Sequence, residues 1–177
     1  MDFETVIKTR MSVRNFKSDK VEDEKLNKIL EAGRIAPTAK NLQPQKIYVL
    51  TKEESFKKLG KTEGMKYGAP IMLMICGDTE KAWHNNLQDG YTTCEMDASI
   101  VATHMMLEAT SLGLGSCWVR NFNSTELQKA FDLPKNIVPV CLMPIGYIAE
   151  EYKANPWHYE RNNIEDEVIY KEENICK

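Results

Sequence analysis

Several signatures are missing from this sequence, and each absence removes a class of protein. No uncharged apolar stretch approaches the ~20 residues of a membrane span. The five cysteines, Cys76, Cys94, Cys117, Cys141 and Cys176, are odd in number, widely spaced and form no C-x-x-C. They read as reduced thiols, four of them in apolar runs and so in the core. His84, His104 and His158 have no metal-ligand spacing to one another or to a cysteine, so no metal site is expected. No G-x-G-x-x-G follows a strand, and no P-loop, nucleophile elbow, H-E-x-x-H or kinase signature occurs. A net charge of only -3, with no basic stripe interleaved with aromatics, gives no case for nucleic acid or an anionic membrane. The start, Met1-Asp2-Phe3-Glu4, lacks the basic-then-apolar character of a secretory signal, so the cytoplasm is the expected compartment.

What is present is an ordinary globular composition in a chain of 177 residues, long enough for one well-buried domain. Asp2 can cap a short helix to about Thr9. A second helix over Glu22 to Arg34 carries Leu26, Ile29, Leu30 and Gly33 at i, i+3, i+4, i+7. A polar loop, Pro37 to Pro44, leads into a strand over Lys46 to Leu50. Thr51 and Glu54 form a capping-box pattern for a helix to about Leu59. Pro70 to Cys76 is a continuous apolar run, as in a strand buried on both faces. Residues 78–90 are polar loop. Tyr91 to Leu112 holds only Glu95, Asp97 and Glu108 as charges and predicts a helix buried on most sides, with Gly113 as its stop. Ser116 to Val119 reads as a short strand, and Asn123 or Ser124 as the cap of a helix through Phe131. Pro139 and Pro144 argue for an edge or irregular strand over Ile137 to Ile148. Residues 151–177 form a polar arm with sparse anchors, unable to make a core of its own, beside a domain over 1–150. The expected fold is α+β, a mixed sheet around one long central helix. The underexposed helix and the unsupported arm favour a homodimer.

The most informative segment is Arg10-Met11-Ser12-Val13-Arg14. If extended, it sets two guanidiniums and a hydroxyl on one face and turns Met11 and Val13 toward the core. Arginine forks bind phosphate or an imide edge bidentately, and a hydroxyl between them suits a polyol or carbonyl oxygen. Alternatively, Arg10 only complements the C-terminal dipole of the first helix.

This segment is followed by Ala36-Pro37-Thr38-Ala39-Lys40-Asn41-Leu42-Gln43-Pro44 and by Asp97-Ala98-Ser99-Ile100 on the long helix. Then come Gly113-Leu114-Gly115-Ser116-Cys117-Trp118-Val119 and Ile145-Gly146-Tyr147. In that order and spacing the motifs resemble the short form of the nitroreductase family of FMN-dependent NAD(P)H oxidoreductases. The resemblance implies an α+β homodimer with FMN at the subunit interface and the arm wrapped on the partner. Arg10 is then placed at the FMN phosphate, with Met11 beside it, and Ser12 and Arg14 toward the ribityl chain and pyrimidine edge. Pro37, Thr38, Ala39, Asn41 and Gln43 belong to a loop lent by the other subunit. Trp118, Val119, Arg120 and Asn121 match the segment whose backbone N–H donates to flavin N5. Arg161 matches a second phosphate cation. The chain departs from many relatives in having Thr38 and Ala39 where serines are common, and Arg120-Asn121 where small residues are common.

The implied chemistry is ping-pong hydride transfer from NADH or NADPH to an electron-poor small molecule, a nitroaromatic, quinone or similar acceptor. No protein side chain is required as a catalytic acid or base. The same fold also carries flavin reductases, enone reductases, reductive dehalogenases and a flavin-fragmenting branch with a lid, for which residues 78–90, with Trp83 and His84, are the candidate here. A non-catalytic or regulatory FMN-binding protein and an α/β binding module without flavin are the readings outside enzymology.

Overall fold

The alternating side chains of Ile71–Asp78 organise the molecule, because both faces of that strand are covered. In this computed structural model, which describes residues 1–171, it is strand β2 of a four-stranded sheet ordered β1-β2-β4-β3. Its neighbours are β1 (Gln45–Leu50) and β4 (Ile137–Gly146), and β3 (Gly115–Ser116) lies beyond β4. Ile71, Leu73 and Ile75 point to one face, with Cys141, Met143 and Ile145 of β4. Helices α2 (Asp23–Arg34) and α4 (Cys94–Ser111) cover that face through Ile29, Val101 and Met105. Met72, Met74 and Cys76 point to the other face, where α3 (Glu53–Lys57) brings Phe56 and α5 (Ser124–Ala130) brings Leu127. The α+β class and the central helix are therefore as expected.

All the strand pairings are antiparallel. The mixed character expected of the sheet reduces to one parallel bridge, Ser12 to Ser116, at its far edge. The strand with two prolines is not an edge strand, since β4 lies between β2 and β3. The register between β2 and β4 slips between Ile75 and Cys76, and Pro139 sits at that slip, where a bulge leaves a residue unpaired. The Leu142 N–H points away from β2 to Val119 O, so Pro144, two residues on, lacks its N–H on that same side. Its missing donor costs the β2 ladder nothing.

Helix α1 (Phe3–Thr9) is capped by Asp2, whose carboxylate accepts from Thr5 N at 2.9 Å. Helix α3 is not capped by Thr51. Lys52 holds the N-cap position without a side-chain bond, and the chain continues after Lys57 into a 3-10 segment over Gly60–Lys66. Helix α4 begins at Cys94 rather than near Tyr91, because the Thr93 N–H is committed to Trp83 O and Thr92 bridges to His84. Its 18 residues still span about 27 Å. No helix among the described residues is long and apolar enough to cross a membrane. Of the expected strand at Ser116–Val119, only Gly115–Ser116 forms; Val119 makes an isolated bridge to Leu142. After Glu150 come a 3-10 turn at Pro156–His158 and a one-turn helix α6 (Ile164–Glu167), with Ile164, Ile169 and Tyr170 exposed. The last stretch of the arm, including Cys176, lies outside the described residues.

Leu73 is fully enclosed by α4 and the neighbouring strands, whereas Val49 on β1 is 38% exposed. Leu73→Ala should cost about 2–5 kcal/mol, and Val49→Ala under about 1 kcal/mol. Urea unfolding midpoints at constant m-value measure both.

Candidate active site

The arginine segment is extended, as its alternation requires. Val13 is 0% exposed, and its N–H donates to Ser116 O at 2.8 Å. Gly115 makes that crossing fit: a Cβ there would stand 2.8 Å from Val13 Cγ2 and 2.9 Å from Ile148 Cγ1. On the other side, Phe16 bridges to Ile148, Lys17 N donates to Tyr147 O at 2.8 Å, and Tyr152 Oη donates to Ser12 O at 2.6 Å. The segment is thus stitched between β3 and the chain that leaves β4. Met11 is half-buried against the small cluster of Val13, Phe16 and Ala69. With Val13 turned inward, Arg10, Ser12 and Arg14 line one cleft of about 290 Å³. Arg10 is also the C-cap of α1, its N–H bonded to Val6 O, so the dipole role and the cleft role coexist.

The cleft has a second wall, of which the family resemblance implied only Arg161. Residues 155–161 fold back over the arginines, bringing Asn155, Trp157, His158 and Arg161 to the same cavity. Asn155 shapes this turn by accepting from Trp157 N at 3.0 Å. Arg161 therefore does reach the Arg10 cleft, despite its acidic neighbours in sequence. Among the described residues no carboxylate lines this cavity, and its polar groups are dominated by donors: three guanidiniums, a hydroxyl, an amide and an imidazole. Such a set fits a phosphate monoester, which offers only acceptors once ionised.

Trp118–Asn121 follows directly from β3. Val119 is buried and bonded both ways to Leu142, at 2.9 and 3.0 Å. Arg120 and Asn121 are exposed, and among the described residues their N–H groups have no protein acceptor. The Arg120 guanidinium lies 4.9 Å from the Phe122 ring centroid, parked sideways rather than paired with a carboxylate. Cys117, between the two segments, is raised by burial, partly opposed by Arg14, the Ser12 side chain and Arg10. Ser116 Oγ, on the residue bridged to Ser12, is buried without a hydrogen-bond partner among the described residues.

The Pro37–Gln43 loop sits elsewhere. Ala39 N donates to Asp97 Oδ1 at 2.9 Å, which pins the loop to the first turn of α4. The arginine segment lies toward the other end of that helix: Ser12 bridges Ser116, shortly after α4 ends at Ser111, and Met11 and Val13 share a pocket with Thr110 and Leu114. Twelve residues of helix separate Asp97 from Ala109, about 18 Å. One copy of the chain therefore does not bring Pro37, Thr38, Ala39, Asn41 and Gln43 to its own arginines. Within the loop Gln43 N bonds Thr38 Oγ1 at 3.0 Å, and Lys40 Nζ lies 5.7 Å from the Trp83 ring centroid.

The family model of the nitroreductase family matches residues 7–63 and 54–147, a span that includes the arginine segment, the loop and the chain after β3. The chain belongs to the nitroreductase family. A nitroreductase family protein from Clostridium difficile 630 is 39% identical, with 97% of this chain and 99% of that one covered at a TM-score of 0.89. An FMN-dependent nitroreductase from Clostridium difficile R20291 is 33% identical, with 85% and 90% covered at a TM-score of 0.71. Among curated relatives, a Bacillus subtilis (strain 168) protein named FMN reductase (NAD(P)H) is 26% identical over 82% of this chain and 65% of its own length.

Cys76, Cys94 and Cys141 take no part in this site. Burial pushes the Cys76 and Cys141 thiols up to about 12 and Cys94 up to about 11. At pH 8 the reactive thiolate is then a trace species, growing only as pH nears those values. Iodoacetamide on native protein at pH 8 should leave these three unlabelled by peptide mass spectrometry, while denatured protein labels fully. Rapid labelling of the native thiols would contradict their burial.

Proposed function

We propose that the protein binds FMN between two copies of the chain and moves hydride from NADH or NADPH to an electron-poor acceptor such as a nitroaromatic or quinone. Flavin-dependent NAD(P)H oxidoreduction is the chemistry of its family and of its named relatives. The observation that carries the reading is the acceptor-seeking cleft of Arg10, Ser12, Arg14 and Arg161. Its donors fit the phosphate end of FMN, with Met11 as an apolar floor.

Bound FMN would supply the redox chemistry, as the hydride carrier between nicotinamide and acceptor. The chain's own residues bind, orient and tune. Arg10 and Arg161 hold the phosphate, while Ser12 and Arg14 address the ribityl chain and the pyrimidine edge. A guanidinium at that edge favours the negatively charged reduced ring over the neutral oxidised one, which raises the reduction potential. In the segment Trp118–Asn121 the Val119 N–H is taken by Leu142 O, and the Arg120 and Asn121 N–H groups would serve as donors to N5. Since side chains need transfer no proton, none is assigned as a general acid or base.

Two features support the second copy. The loop and the cleft lie at opposite ends of α4, so an antiparallel partner brings the Pro37–Gln43 loop of one chain to the arginines of the other. A groove of about 550 Å³ along α1, α2 and α4 also leaves Phe3 and Ile35 mostly exposed. The domain over 1–150 then carries the site, and the exposed Ile164, Val168, Ile169 and Tyr170 of the arm rest on the partner. Four free, buried thiols accord with the reducing cytoplasm.

Purified protein supplied with FMN should be yellow, bleach with NADH or NADPH under anaerobic conditions, and recover its colour when a quinone is added. Flavin that stays oxidised with both nucleotides would overturn the reading and leave a non-catalytic flavin protein. Arg10→Ala and Arg14→Ala should each weaken FMN binding about 10- to 100-fold, as for a lost charge-assisted hydrogen bond. Fluorescence titration of the apoprotein measures the loss.

A further inference from the structure

We infer that Asp97 is a positioning residue: its buried carboxylate fixes the Ala39 amide and, through it, the shape of the loop that closes over the cofactor. This rests on the reading of Pro37–Gln43 as part of the flavin site. Asp97 is 1% exposed, on the first turn of a helix whose other inward side chains are apolar or small. Both its oxygens are engaged. Oδ1 accepts from Ala39 N at 2.9 Å, and Oδ2 accepts from the Thr93 hydroxyl at 2.8 Å. An apolar residue of similar volume would fill the same space but leave the Ala39 N–H and the Thr93 hydroxyl without their acceptor. The carboxylate's charge is tolerated because two donors and the positive end of α4 face it.

What the carboxylate holds is an unusual turn. Lys40, Asn41 and Gln43 have φ of 50°, 56° and 50°, so three non-glycine residues within four positions lie in the left-handed region. Such conformations persist only where surrounding contacts over-determine them. The loop's remaining hydrogen bonds among the described residues are internal: Asn41 N to Thr38 O, Leu42 N to Ala39 O, Gln43 N to Thr38 Oγ1, and Gln43 Nε2 to Asn41 Oδ1. The Ala39–Asp97 bond ties that self-contained turn to the body of the protein across 58 residues of sequence. Without it the turn retains its internal bonds but loses a fixed orientation, and Thr38, Asn41 and Gln43 are no longer presented at one place.

The bond can be removed from either end. Asp97→Ala deletes the acceptor. Ala39→Pro deletes the donor and sets the ring Cδ against Asp97 Oδ1, and Thr38, at φ -135° and ψ 159°, already has the backbone a following proline requires. Asp97→Asn keeps an oxygen for Ala39 and serves as the conservative rescue. The readouts are the FMN dissociation constant of folded apoprotein, by fluorescence titration, and amide hydrogen exchange across residues 38–43 without flavin. Asp97→Ala and Ala39→Pro should each raise the dissociation constant about tenfold or more. The double variant should be no worse than the weaker-binding single, and Asp97→Asn should stay within about threefold of wild type. Exchange should accelerate in the loop and not in β2. If Ala39→Pro folds and binds FMN like wild type, the inference is overturned, even should Asp97→Ala fail to fold. A merely structural Asp97 would lower the melting temperature and leave flavin affinity unchanged. Wild-type protein that takes up no flavin contradicts the proposed function itself, which is read before any variant is compared.

Discussion

The site depends on the burial of Val13. Because that side chain is enclosed between β3 and the chain leaving β4, the residues on either side of it must face outward. The N–H bond to Ser116 O fixes the register, and one residue of slip would send Ser12 inward and Val13 out. An apolar contact thus decides where two positive charges stand. Arg161 joins them only because the turn at Pro156–His158 carries the chain back over Ser12. The hydrophobic core thus sets the electrostatics of the cleft, which gathers three guanidiniums.

The second organising constraint is the length of α4. It separates the arginine cleft from the loop held by Asp97, and it links both to the same rigid element. The two-copy site proposed above rests on that separation, since each chain has a cationic end and a loop end. The helix between them carries few charges, and Phe3 on α1 and Ile35 after α2 stay mostly exposed beside it. Family membership, shown by a model match over most of the chain, and the cleft's chemistry then converge on the same cofactor.

Local periodicity made much of this legible in the sequence. The i, i+3, i+4, i+7 pattern located α2 to within one residue, and the alternation from Arg10 to Arg14 gave the directions of Arg10, Ser12, Val13 and Arg14, while Met11, expected in the core, is half-buried and also lines the cleft. Other features depend on partners distant in sequence. Thr93 and Thr92 are withdrawn from α4 by Trp83 and His84, so apolar content alone overextended its start. The capping-box pattern at Thr51 lost to a helix opening one residue later. The prolines of β4 pointed to an edge because their positions relative to the register slip and to Val119 are set by neighbouring strands. Asn155, Trp157 and His158 gave no signal, since a fold-back of a polar tail has no period. Asp97 looked like one of three charges on an apolar helix, and only the position of Ala39 shows what it binds.

The central claim is that guanidiniums exposed by the burial of Val13 grip the phosphate of a flavin. Calorimetric titration of the apoprotein with FMN and with riboflavin, which lacks that phosphate, tests it directly. The account predicts one FMN per chain, with an affinity that falls as salt rises, and riboflavin at least about 100-fold weaker. Equal affinity for the two flavins would contradict it.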